Sequence, residues 1–179
     1  MAGRHAYVDE SCPGDYLVMC SLVASSDAAA ARQAMRGLLL PRQRSIHMKD
    51  ERKGARQDRI IRTVCALDLG VTIYSARPAD HRGQSGARDA CLQRLAADSV
   101  RNEVDQMILD RSDATKKRDA QSIRTGATSA GARGVPFSYD HLSRHDEPLL
   151  WVPDVVGWCY ARGGRLRQQV MPIIKVIEL

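Results

Sequence analysis

The sequence predicts a mixed α/β domain, with one central sheet and helices on its faces. Three observations carry this reading. Two apolar, strand-forming stretches open the chain and are separated by Pro13-Gly14-Asp15, which is hairpin chemistry. Further strand-like stretches then alternate with segments of helical periodicity. Two of the strand-like stretches, around Tyr7-Val8 and Met107-Ile108-Leu109, run straight into aspartate: Asp9 and Asp110.

Taken in order, residues 5–9 form a first predicted strand and 16–23 a longer second one. Ser25-Ser26-Asp27 offers a cap for a helix over 28–39, which Pro41 ends. Residues 45–48 suit a short third strand. A helix is expected over 51–69, with Ile60, Ile61, Val64, Cys65 and Leu67 mostly on one face and arginines on the rest. Gly70 stops it. Residues 71–76 are a β-branched strand, 78–86 a loop, and 87 to about 103 a helix with Cys91, Leu92, Leu95, Ala96 and Val100 on its apolar stripe. Residues 106–110 are another strand.

Residues 112–124 are charged and helical in character, with Ser112 or Asp113 as cap, and the small, glycine-rich 125–134 reads as a flexible loop. Residues 135–142 suit a strand. A helix over 151–162 has Pro153 in its first turn and is closed by Gly163-Gly164. The apolar tail, 171–179, suits a final strand or a docked extension. Two hairpin strands followed by helix-linked strands is the layout of an RNase H-like mixed central sheet flanked by helices. There is no internal repeat and no domain-like break, so residues 1–179 are read as a single domain.

Composition narrows the function classes. The chain is 44% hydrophobic and 27% charged, with a formal net charge of +6 and 22 arginines against 5 lysines. Forked arginine contacts suit phosphate, so nucleic acid is an admissible partner; a high-GC genome would raise arginine and alanine equally well. Protein partners and self-association stay open. The five cysteines are widely spaced with no CxxC pair, which is neither a zinc site nor a disulfide framework and fits a reducing cytosol. Cys12 lies beside the first carboxylates; a small buried residue is the simpler role. No apolar run reaches the roughly 18 residues of a membrane span, and Asp9 and Glu10 interrupt any signal-like segment. Aromatic content of 4% argues against base-stacking platforms. No GxxxxGK[ST] or GxGxxG is present.

Asp9 and Asp110 fall just past apolar strand segments, where neighbouring strands bring such ends together. Asp154 sits in the first turn of an apolar helix, where free N–H groups and the helix dipole favour a carboxylate. Gly157, one turn on, would let that helix approach the sheet. Three converging carboxylates suit hard cations bound through oxygen; a Mg²⁺ or Mn²⁺ pair in such a site would activate water and stabilise the leaving oxygen of a phosphodiester. Isolated aspartates in these places are otherwise caps.

Three motifs resemble the bacterial domain-of-unknown-function 3800 family: YVDES at 7–11 followed by Pro13-Gly14, MILDRSD at 107–113, and PLLWVPDVVGWCYARGG at 148–164. The resemblance spans nearly the whole chain through short motifs, of which the last is the longest. It implies an RNase H-like, metal-dependent phosphodiesterase with Asp9, Asp110 and Asp154 as metal ligands and Glu10 as a nearby helper. Cys12 stands where the family usually has glycine, so the turn after Asp9 differs. A fourth acidic ligand has no clear counterpart; Glu51 is the expected candidate, ahead of Glu103.

Around His47 and Lys49 a histidine, a lysine and two carboxylates cluster; either of the two named residues could contact the scissile phosphate, or the stretch is a solvated loop. Lys116-Lys117-Arg118 and Arg162, Arg165, Arg167 could track a phosphate backbone, a solvated helix face being the default. His141 and His145 are four apart, but HLSRHDEP reads as a loop with a surface role. Trp151 and Trp158 are read as core. The sequence reading is a metal-dependent nuclease acting on DNA or RNA; the competing reading is a catalytically inactive nucleic-acid-binding or adaptor module of the same fold.

Overall fold

In the computed structural model, which describes residues 3–111 and 115–179, a six-stranded sheet runs in the order β5-β4-β1-β2-β3-β6. Strands β1 (Arg4–Ser11) and β2 (Tyr16–Ala24) form the expected antiparallel hairpin. Helix α1 (Ala28–Arg36) follows, then a 3₁₀ turn at Met48–Asp50 and α2 (Ala55–Ala66). Strand β3 (Val71–Ala76) pairs antiparallel with β2. Helix α3 (Gln84–Arg101) leads to β4 (Val104–Asp110), which lies parallel to β1. Helix α4 (Lys116–Ser129) leads to β5 (Ser138–Leu142), parallel to β4. Helices α5 (Trp151–Arg162) and α6 (Gly164–Val170) precede β6 (Ile174–Glu178), parallel to β3 at the far edge. Among the described residues no helix is long and apolar enough to cross a membrane.

Both faces of the sheet are buried, and the two-residue alternation of the strands divides the core. Tyr7, Leu17, Met19, Ile73 and Ile108 pack against α1, α2 and α5. Ala6, Val8, Val18, Cys20, Met107 and Leu109 pack against α3 and α4. Gly157 lets α5 settle onto the sheet: a Cβ there would stand 2.3 Å from the Met19 methyl.

Several sequence expectations are corrected. Residues 45–48 are not a strand: the Met48 N–H is taken by the Asp154 carboxylate at 3.0 Å, and the chain turns into the 3₁₀ segment. Helix α2 begins at Ala55 rather than at 51, because Gly54 adopts φ +83°, outside the helical region. Residues 125–129 are helix, not loop. Gly126 is there for close packing, since a Cβ would stand 2.1 Å from the Gln93 carbonyl oxygen of α3. Gly164 begins α6 instead of extending a stop. Cys12 is exposed, whereas Cys20, Cys91 and Cys159 are buried; all are free thiols. The proposed cap at Ser112 or Asp113 lies outside the described residues.

Candidate functional site

Strand register places the first two carboxylates. Val8 of β1 pairs with Leu109 of β4, so Asp9 and Asp110 stand side by side one step further along two central strands. Asp9 shares the parity of Tyr7, and Asp110 that of Ile108, so both turn to the face covered by α5. Asp154 arrives there from the first turn of α5. Glu10 has the opposite parity and turns to the α3–α4 face.

One guanidinium joins the three aspartates. Arg144 donates from Nη2 to Asp110; the same nitrogen is 4.0 Å from Asp9 Oδ1, and Nη1 is 3.7 Å from Asp154 Oδ1. Asp154 is also held from behind: Oδ2 accepts the Met48 N–H, and Oδ1 is 2.7 Å from His47 Nδ1. The same Nδ1 faces Arg144 Nη1. A single ring nitrogen either accepts from the arginine or donates to the aspartate, so His47 has two alternative partners.

Asp9 is 7% exposed. Burial, then the charges of Asp154 and Asp110, push its carboxyl up to about 7, against a backbone hydrogen bond at Glu10 and the opposing pull of Arg144. Asp9 therefore takes up a proton near neutrality, and a cation among the three carboxylates favours its ionised form.

The backbone of Arg144 is pinned. Its carbonyl accepts the indole N–H of Trp151 at 2.7 Å, and Trp151 is 1% exposed. Three residues on, Glu147 accepts from Leu149 N and forms a forked ion pair with Arg32 of α1, which also donates to the Tyr7 hydroxyl. The segment before α5 is thus fastened to the core at both ends, with the Arg144 side chain projecting between.

A cleft of about 320 Å³ opens beside the trio. Asp9, Met19, His47, Lys49, Arg144, Asp154, Trp158 and Arg162 line it, and Asp110 borders a neighbouring pocket with Asp9 and Glu10. Arg162 lies over the Trp158 ring, 4.8 Å from its centroid. Trp158 is therefore a cleft residue as well as a flank of the core, unlike Trp151.

Two expected acids are placed elsewhere. Glu51 is buried in an ion pair with Arg56 and a hydrogen bond from Gln43, away from the cleft. Its pairing needs are met there, and it is not among the residues that line the cleft. Glu10 borders the cleft, but its carboxylate receives Arg88 through Nε and Nη2 and the Tyr16 hydroxyl. Lys49 reaches the cleft, whereas Lys116 and Lys117 are exposed at the start of α4 and do not line it. His141 corrects the surface reading: its side chain is buried, with Nε2 2.8 Å from Asp119 Oδ2. His145 is exposed and shares no helix face with it.

Sequence reasoning missed Arg144 and a second buried network. Arg88 bridges Glu10 and the fully buried Asp119, which also meets His141 and Thr115. The apolar stripe of α3 concealed Arg88, and nothing in the spacing of Ser143-Arg144-His145 marks the arginine.

Among the described residues, no group of three or more His, Cys, Asp and Glu side chains is arranged to hold a metal ion. The chemistry of the donors nonetheless suits a hard cation: three carboxylates from separate elements already converge on one positive group.

No family model matches the sequence, and no curated protein matches it. Among solved structures, the chain is similar to RNase HII in the PCNA:RNase HII complex from Archaeoglobus fulgidus. The TM-score is 0.54 at 17% identity, over 88% of this chain and 72% of that one. The fold is RNase H-like: a mixed six-stranded sheet flanked by helices.

Proposed function

We propose that this chain is a divalent-metal-dependent nuclease that hydrolyses phosphodiester bonds in DNA or RNA, with Asp9, Asp110 and Asp154 holding Mg²⁺ or Mn²⁺. The observation that carries this reading is the convergence of those three carboxylates, from β1, β4 and α5, on a single cationic group beside an open cleft. Such ions, when bound, activate water for attack and stabilise the leaving oxygen.

The chain's own residues supply the rest. His47 and the Met48 N–H orient Asp154. Lys49 and Arg162 meet the phosphates of a strand lying in the cleft. Similarity to RNase HII supports a nucleic-acid substrate through the fold alone. Five free cysteines suit a reducing compartment such as the cytosol.

One observation favours a second reading, a nucleic-acid-binding or adaptor module without catalysis: Arg144 already neutralises part of the trio's charge. Labelled DNA, RNA and DNA–RNA hybrid incubated with the protein in Mg²⁺, Mn²⁺ or EDTA separate the two. The nuclease reading expects cleavage in metal, none in EDTA, and a loss of at least about a hundredfold in Asp9→Asn and Asp154→Asn. Binding without cleavage in every metal supports the adaptor.

A further inference from the structure

We infer that Arg144 is the resident counter-ion of the aspartate trio and competes with the divalent cation for it, so that this one side chain sets the metal affinity of the site. The inference rests on the metal-binding reading above and adds a residue to it.

Four contacts define the position of the guanidinium. It donates to Asp110, lies 4.0 Å from Asp9 and 3.7 Å from Asp154, and faces His47. All three carboxylates are largely buried, so the cation among them interacts through a medium of reduced dielectric. A divalent ion held by Asp9, Asp110 and Asp154 would share these carboxylates with the guanidinium. Two like charges that share anions, in a site shielded from water, oppose each other strongly. The two occupants therefore exclude one another, and each weakens the other's hold by the same factor.

The anatomy of the segment permits the exchange. The backbone of Arg144 is fixed through its carbonyl to Trp151, and Glu147 is fixed to Arg32. The guanidinium, at the end of a long flexible stem, is the part free to leave. It is also the more exposed partner, with its side chain 26% accessible against 10% for Asp9 and Asp154. Arg144 already lines the cleft, so the exchange would ask only for a new side-chain rotamer. With the metal absent, the same arginine keeps three carboxylates from repelling one another. A merely structural ion pair would do only this second task.

Mn²⁺ binding to the full chain, followed by titration calorimetry and by the spin resonance of free Mn²⁺, tests the inference without nucleic acid. Wild type, Arg144→Gln, Arg144→Lys and Asp9→Asn are compared, and thermal melting is recorded with and without Mn²⁺. Arg144→Gln is expected to bind Mn²⁺ about tenfold or more tightly than wild type, within the usual range of site-to-site coupling. It should melt lower than wild type in EDTA and gain more from saturating Mn²⁺. Arg144→Lys keeps a charge without the planar fork and should fall between the two; it serves as the second variant if the glutamine form does not fold. Mn²⁺ affinity unchanged or weakened in both Arg144 variants overturns the inference. In that case, wild-type binding that Asp9→Asn abolishes leaves the metal-dependent reading intact. No Mn²⁺ binding to wild type or to either Arg144 variant overturns both together.

Discussion

The indole N–H of Trp151 donates to the carbonyl of Arg144 at 2.7 Å, across a turn that joins β5 to α5. Trp151 is the first residue of the helix that carries Asp154. One core side chain thus ties the backbone of Arg144 to the start of the helix that carries Asp154, while the guanidinium keeps its own rotational freedom. The backbone positions at the site thus follow from packing in the interior.

Asp9 makes stability depend on pH in an unusual direction. An unfolded aspartate titrates near 3.9, while burial and neighbouring carboxylates push folded Asp9 up to about 7. Between those values the folded chain binds more protons than the unfolded one, so this contribution is full below about 4 and is lost as pH rises through 7. Urea unfolding in EDTA should show wild type losing on the order of 2–4 kcal/mol across that window relative to Asp9→Asn. Parallel curves for the two proteins would contradict it.

His47 orients Asp154 without belonging to the trio. His47→Ala leaves the Met48 N–H in place, so the fold should survive with little change in melting temperature. Cleavage rate, or Mn²⁺ affinity, should fall about 10–100-fold, the usual cost of losing a residue that steadies a metal-binding side chain. Rates and affinities equal to wild type would reduce His47 to a wall of the cleft.

Asp119 is fully buried and answers both Arg88 and His141. Asp119→Ala strips a buried guanidinium of one of its two carboxylates and should cost about 3–5 kcal/mol in chemical denaturation. Adding Arg88→Met should recover part of the loss, because the stranded charge goes with it. Losses that simply add would show that the two residues act independently.

Gly126→Ala tests the close approach of α3 and α4. The new methyl would meet the Gln93 backbone, which cannot rotate aside, so the helices must separate. A loss of about 1–3 kcal/mol is expected from overpacking, against roughly 1 kcal/mol of improved helix propensity. A more stable variant would mean that the helices part without strain.

What the sequence disclosed follows physical rules of short range. An apolar run ending in aspartate, as at Val8-Asp9 and Leu109-Asp110, marks a strand end, and the hairpin is written in Pro13-Gly14. The order of strands and helices was enough for the RNase H-like fold, which the similarity to RNase HII shows. Features that depend on distant partners stayed hidden. Gly126 looked like a loop glycine because its reason for being small is Gln93, on another helix. Glu51 looked available because Arg56 and Gln43 meet it only in three dimensions. Arg144 carried no mark at all, since a lone arginine in a turn acquires its role only when β1, β4 and α5 surround it.

The register of β6 on β3, with Val71 beside Ile174, has a consequence for assembly. The two strands are parallel and far apart along the chain, so joining them closes a long loop before any compensating contact forms. Until then β3 presents an unpaired outer margin next to the already formed hairpin. Refolding at high protein concentration should therefore divert material into intermolecular strand pairing at that margin.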